Sequence, residues 1–202
     1  MTAITRASIT ARCGPGCPTC ADLRRAAVAL AGRAGLAGVT SERLAQFAGL
    51  PRGTLGVHVC GDVEACLAAA YRETIAGMQS RYAARLRAAA TLDAGLRDAT
   101  ADLLAYAARH PDVASFVTVE IPRGGGELAV LRERLHRQTI RNLREELGRF
   151  EGAAAPEPQV ELLIETMRQT IAHRVTTGET ANLLDTLDAV LATAGEPLVA
   201  GG

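Results

Sequence analysis

The sequence predicts an all-α fold, and three observations carry that expectation. Apolar residues recur every three to four positions along most of the chain, the period of one helical face. No segment alternates apolar and polar residues as a half-buried strand does, and no glycine-rich phosphate loop follows a strand. Apolar residues make up 48% of the 202 positions but aromatics only 3%, with no Trp. The core must therefore be Ala, Leu, Val and Ile, which suits closely packed helices. This length supports one large domain or two small ones.

Residues 1–20 form an N-terminal arm, expected to be flexible, and Gly14, Pro15, Gly16 and Pro18 read as a linker that makes no helix. The first helix follows in "ADLRRAAVALAGRAG", where Leu23, Ala26, Ala27, Leu30 and Ala34 share a face and Gly35 is the stop. In "VTSERLAQFAG", Thr40 is an N-cap and Glu42 suits the positive end of the next helix. Leu44, Phe47 and Ala48 are its expected buried face, and Gly49 ends it. "LPRGTLGVHV" then begins a third helix, with Pro51 in the first turn. Two helices of about eight residues joined by a short Gly turn make a helix-turn-helix over about 40–59, within a domain of residues 21–61.

Beyond Gly61 one long helix is predicted over 62–90, striped by Cys66, Leu67, Ala70, Thr74, Met78 and Leu86. Another runs up to Pro111. The short "DVASFVTVEI" breaks at "PRGGG", and Leu128, Leu131, Leu135, Leu143 and Leu147 stripe the helix after it. "EGAAAPEP" is a linker. Two helices close the chain, over 158–177 and 181–194. Val160, Leu163, Ile164, Met167, Ile171 and Val175 stripe the first, and Leu183, Leu184, Leu187, Val190 and Leu191 the second. Residues 62–195 thus form a second helical domain, with a tail at 196–202.

Residues 23–71 resemble the DNA-binding region of the TetR-type bacterial transcriptional regulators. Gly35, Thr40, Ala48-Gly49, Gly53-Thr54-Leu55 and His58-Val59 carry the resemblance in order and spacing. It implies a homodimer that binds an operator in double-stranded DNA, with a helical ligand-binding half whose last two helices turn their apolar stripes to the second subunit in a four-helix bundle. It also implies a repressor that a small-molecule ligand releases by binding better to one of two separations of the recognition helices. The matching DNA-binding positions are Thr40, Arg43, Pro51, Arg52, Gly53, Thr54 and His58. Arg52 is the base reader, because a guanidinium pairs bidentately with guanine. Gly56 stands where the family has an aromatic, Pro51 where it has Ser, and Asp62 or Val63 where it has Lys. The competing reading is a helical ligand-binding or scaffold protein whose helix-turn-helix has lost DNA binding.

Charge fits a polyanion partner at the front of the chain. The first 60 residues hold Arg6, Arg12, Arg24, Arg25, Arg33, Arg43 and Arg52 against Asp22 and Glu42, whereas the whole chain is neutral. In the second half an apolar effector is expected among Leu103, Leu104, Phe116, Val117, Leu131, Leu135, Met167 and Ile171, with His136 or Arg174 as polar anchor.

Cys13, Cys17 and Cys20 have C-x3-C-x2-C spacing, shared with radical enzymes that hold an iron–sulfur cluster. Such enzymes need a strand barrel, and no strands are predicted. Three thiolates could bind zinc with a fourth ligand from Cys60 or His58, or act as a thiol switch. The simpler expectation is a basic arm that holds no metal. Glu133 and His136 make one E-x-x-H pair, but a di-iron bundle needs two. His110, His136 and His173 lie in the second half and could contact a ligand, although a core or surface role is the commoner one for such residues. No Ser–His–Asp order or other catalytic cluster stands out, so neither enzyme activity nor a cofactor is expected. No apolar run reaches the roughly 18–20 residues of a membrane span, and "MTAITRASIT" lacks the hydrophobic block of a signal peptide. The expected location is the cytoplasm.

Overall fold

Proline opens the first helix. α1 runs Pro18–Ala34, where Pro18 stands at a position whose N–H has no intrahelical acceptor. The computed structural model describes residues 16–58, 62–150 and 156–195. α1 therefore begins inside the segment expected to be a non-helical arm: Cys17 is its N-cap and Cys20 is already buried. Leu23, Ala26, Ala27, Leu30 and Ala31 form its buried face. Gly35, at φ 75°, turns the chain out of it.

A 3₁₀ turn, Leu36–Gly38, leads to α2, Ser41–Phe47. Thr40 caps α2, its hydroxyl accepting the Arg43 N–H at 3.2 Å. Leu44 and Ala45 face inward. Phe47, expected on the buried face, is instead 47% exposed and lies beneath the Arg33 guanidinium, 5.7 Å from the ring centroid. α3 is a single turn, Thr54–Val57, shorter than the sequence suggests. Gly53 adopts the left-handed φ of 82°, so Pro51 and Arg52 belong to the preceding loop and not to the helix.

The second half is built on α4, Val63–Ala88, which Asp62 caps through the Ala65 N–H at 2.8 Å. α5 is Leu92–Arg109. Pro111 then does two things: it stops α5 and starts α6, Pro111–Ser115. A wider π turn, Phe116–Glu120, and the short α7, Ile121–Arg123, carry the chain to α8, Gly126–Leu147. α9 is Glu157–Thr177. The last predicted helix is broken. A 3₁₀ stretch, Thr180–Thr186, with Asn182 off helical geometry, precedes α10, Leu187–Val190, and a π turn, Leu191–Gly195.

Three apolar clusters hold these elements together. Leu23, Leu44, Leu55, Leu67 and Phe116 join α1, α2 and α3 to α4 and the π turn. Leu86, Leu96, Leu147, Leu163 and Val190 fill the distal bundle, and Leu104, Ile171 and Leu183 lie between α5, α9 and the C-terminal 3₁₀ stretch. The stripe expected to face a second subunit is thus mostly consumed within the chain, since Leu183, Val190 and Leu191 are buried. Leu184 and, on α9, Leu162 remain 47% and 43% exposed. Among the described residues, no helix is long and apolar enough to cross a membrane.

Candidate nucleic-acid interface and effector cavity

α2 and α3 pack against α1, leaving the loop between them outermost. Pro51, Arg52 and Gly53 are exposed. The Thr54 hydroxyl donates to the Pro51 carbonyl at 2.6 Å, which ties the loop to the start of α3. Arg43 donates to the Gly38 carbonyl at 2.6 Å, so its guanidinium stays near the N-terminus of α2 that Thr40 caps. Three arginines of the basic half are neutralised inside the fold: Arg24 by Glu73, Arg25 by Asp22 and Arg33 by Asp112. Arg43 and Arg52 have no carboxylate partner among the described residues, which leaves them for a phosphate or a base. Arg6 and Arg12 lie outside the described residues.

Gly56 is exposed, and a Cβ added there meets nothing within 4 Å. Space does not require this glycine. His58, grouped with the DNA contacts by sequence, ends α3 with its ring half-buried and turned toward α1. Its Nδ1 lies 3.6 Å from Cys17 Sγ and 3.7 Å from Cys20 Sγ. Cys13 and Cys60 lie outside the described residues.

A cavity of about 790 Å³ opens between α4, α5, α8, α9 and the π turn. That is within the roughly 300–1,000 Å³ typical of small-molecule sites. Leu103, Val117, Leu135, His136, Met167 and Ile171 line it as the sequence suggests. Leu104, Phe116 and Leu131 do not: they are buried in the core behind the wall. Arg174 is also absent from the wall, because it pairs with Glu179 near the end of α9. The polar lining comes largely from positions that apolar periodicity passes over, among them Tyr71, Gln79, Arg132 and Arg168 and the acids Glu133, Glu145, Glu146 and Glu165.

These polar groups are organised. Arg168 donates to Glu165 at 2.8 Å, and this hydrogen bond, against burial, holds the Glu165 carboxyl below its ordinary range. Arg132 donates to the Pro122 carbonyl at 2.8 Å. Burial pushes the Tyr71 phenol up to about 12, though Arg132 and Arg168 act the other way, so it stays a neutral hydroxyl. Gln79 donates to Thr139 at 2.6 Å and accepts from Asn142 at 3.2 Å, forming a polar seam between α4 and α8. Glu133 and His136 pair apart, with Arg137 and Glu161 respectively, and so make no shared metal site. His110 stacks on Tyr106 with ring centroids 4.5 Å apart, and His173 is exposed.

The cavity wall reaches the helix-turn-helix half through the π turn. Val117 and Thr118 face the cavity, while Glu120, at the end of the same turn, accepts the Leu36 N–H at 3.1 Å. Arg33 on α1 bridges to Asp112 on α6 at 2.6 Å. Beside it, a Cβ on Gly32 would lie 2.1 Å from the Asp112 carbonyl oxygen, so α1 and α6 meet backbone to backbone.

Solved structures share this fold. A fatty acid degradation regulator, FadR, from Bacillus halodurans superposes with a TM-score of 0.77 at 16% identity, covering 88% of this chain and 96% of its own. FadR from Bacillus subtilis, in complex with stearoyl-CoA, gives 0.75 at 18% identity, covering 90% and 98%. A TetR-family transcriptional regulator from Pectobacterium atrosepticum gives 0.69 at 21% identity, covering 96% and 97%. The fold is that of the TetR-family regulators. Neither a protein-family model nor a curated protein matches the chain by sequence. The TetR-type likeness extends beyond the helix-turn-helix over nearly the full length, including the variable half that bears the cavity.

Proposed function

We propose that this chain is a TetR-type transcriptional regulator, a repressor released from its operator by an amphipathic effector. The observation that carries the reading is the physical join between helix-turn-helix and cavity. One π turn lines the cavity with Val117 and Thr118 and holds the Leu36 backbone through Glu120. An effector that binds better when this turn has moved shifts α1 and α2 with it, by its differential affinity for the two states. At the DNA edge, Arg52 reads a base while Arg43, Thr54 and the α2 N-terminus meet phosphates. His58, half-buried against thiols, positions α3 and does not touch DNA.

The effector class follows from the lining. Leu103, Leu135, Ile164, Met167 and Ile171 offer an apolar bed, and Arg132 offers a cation at its side, with Arg168 next to it in its pair with Glu165. A long acyl chain with an anionic head fits this combination, and the stearoyl-CoA complex of the Bacillus subtilis protein supports it. The working unit is a cytoplasmic homodimer, for which exposed Leu162 and Leu184 supply apolar surface near the C-terminal end. Leu162→Glu with Leu184→Glu should give monomers in sedimentation, whereas Val190 is buried in its own subunit and cannot report on the interface.

Selection of bound fragments from random DNA tests the main claim. Arg52→Ala should lose about 1–3 kcal/mol on the selected site and relax preference at one base per half-site. Saturated acyl-CoA should release the DNA, and Arg132→Ala with Arg168→Ala should blunt that release. Gly56 favours the second reading, a helix-turn-helix that no longer binds DNA. Effector binding without any enriched DNA would establish it.

A further inference from the structure

We propose that Cys17, Cys20 and His58 form a structural site for a thiophilic divalent metal, zinc by class. The site clasps the start of α1 to the end of α3. This reverses the expectation of a metal-free arm. Cys17 and Cys20 flank the first turn of α1, and the cap geometry that Pro18 fixes brings both sulfurs toward His58, 41 and 38 residues away. The three candidate ligand atoms lie within 4.8 Å of one another. Cys20 is buried, and Cys17 and His58 are half-buried.

The distances match those of a tetrahedral metal centre. With Zn–S of about 2.3 Å and Zn–N of about 2.0–2.1 Å, a tetrahedral angle sets sulfur and nitrogen about 3.6 Å apart. The two observed separations are 3.6 and 3.7 Å. One ion satisfies all three atoms together and leaves a fourth corner for a further thiolate or water. Binding converts both thiols to thiolates and releases their protons to solvent. The positive N-terminal end of α1 favours that deprotonation.

Such a clasp answers a need of α3. The helix is one turn long, has no side-chain cap at Gly53 and contains Gly56. Leu55 is its buried apolar anchor. Ligation through His58 gives the far end of α3 a second fixed point on α1. The metal site stands independently of the DNA-binding reading, and its effect on operator affinity rests on that reading.

The full-length chain, purified reduced and without chelator, should carry about one zinc. Titration of the metal-stripped, reduced chain with Co²⁺ should give the visible bands of a tetrahedral site and a thiolate-to-metal charge-transfer band. The Cys17→Ser, Cys20→Ser double variant should lose both signals while its circular dichroism stays helical. His58→Cys should keep the metal and intensify the charge-transfer band, an outcome that a purely packing role for His58 does not give. Stripping the metal should speed amide exchange at Thr54–His58, read without DNA. A reduced, folded wild-type chain that takes up no Co²⁺ overturns the site, as does a double variant that binds it equally. A Cys17–Cys20 disulfide on air exposure, with no Co²⁺ uptake when reduced, overturns it in favour of a thiol pair.

Discussion

The edge that carries α3 and the bundle that carries the cavity are held by different means. In the bundle each helix of α4, α5, α8 and α9 buries two or more large apolar side chains, so no single contact positions it. At the edge, α3 depends on Leu55 and on what His58 meets. Burial of apolar area is redundant and non-directional. A one-turn helix cannot use it that way, because a turn offers one or two inward positions. Local, directional fastening takes its place.

The largest expected effect comes from cutting the shared core. Phe116 is fully buried at the π turn and meets the Tyr71 ring edge to face, centroids 6.3 Å apart. Phe116→Ala should cost about 3–5 kcal/mol, much of a typical domain's stability. The check is a urea midpoint that falls without a change in slope. Leu55→Ala should instead loosen α3, visible in its amides, while helicity of the bundle persists. If both variants unfolded the whole chain alike, the two regions would be one cooperative unit and the contrast would fail.

A smaller effect is expected where the regions meet. In Gly32→Ala the new methyl collides with the Asp112 backbone, an immovable partner, so α1 and α6 must separate. Overpacking of this kind costs about 1–3 kcal/mol. Effector affinity should be nearly unchanged, because the cavity is lined elsewhere, but the effector's leverage on DNA should drop. Equal leverage in wild type and variant would show that coupling bypasses the α1–α6 contact. Glu120→Gln, which keeps an acceptor for the Leu36 N–H, should be milder than Glu120→Ala.

How much of this was legible in the sequence depended on period and phase. Helical stripes on α4, α8 and α9 placed Leu67, Leu147 and Leu163 in the core, because long regular helices keep their phase. The cavity was half legible for the same reason. Leu103 and Val117 line it while their neighbours Leu104 and Phe116 sit behind it. Choosing between adjacent apolar positions needs the rotation of each helix, and the π turn at Phe116–Glu120 resets that rotation. Arg132 and Arg168 were missed because a charge beside an apolar stripe usually faces solvent. The cysteine segment was misread as a linker, although Pro18 directly after Cys17 is an ordinary helix-start signal. Its meeting with His58 is a tertiary contact that spacing alone could not select.

The smallest effect, and the one that sharpens the contrast most, concerns Gly56. Its φ is not in the left-handed region, and an added Cβ meets nothing within 4 Å, so alanine fits without strain. Gly56→Ala should favour α3 by up to about 1 kcal/mol through the lost freedom of the unfolded chain. Because α3 contributes little to the bundle, the melting temperature should barely move. The gain should appear as slower amide exchange at α3 and a modestly tighter operator complex. It should be larger after metal is stripped, when α3 has lost its second fixed point. Stabilisation of α3 with weaker DNA binding would mean that the duplex approaches the Gly56 backbone closely. In that case the glycine at this edge is kept for access to DNA, at the expense of helix propensity.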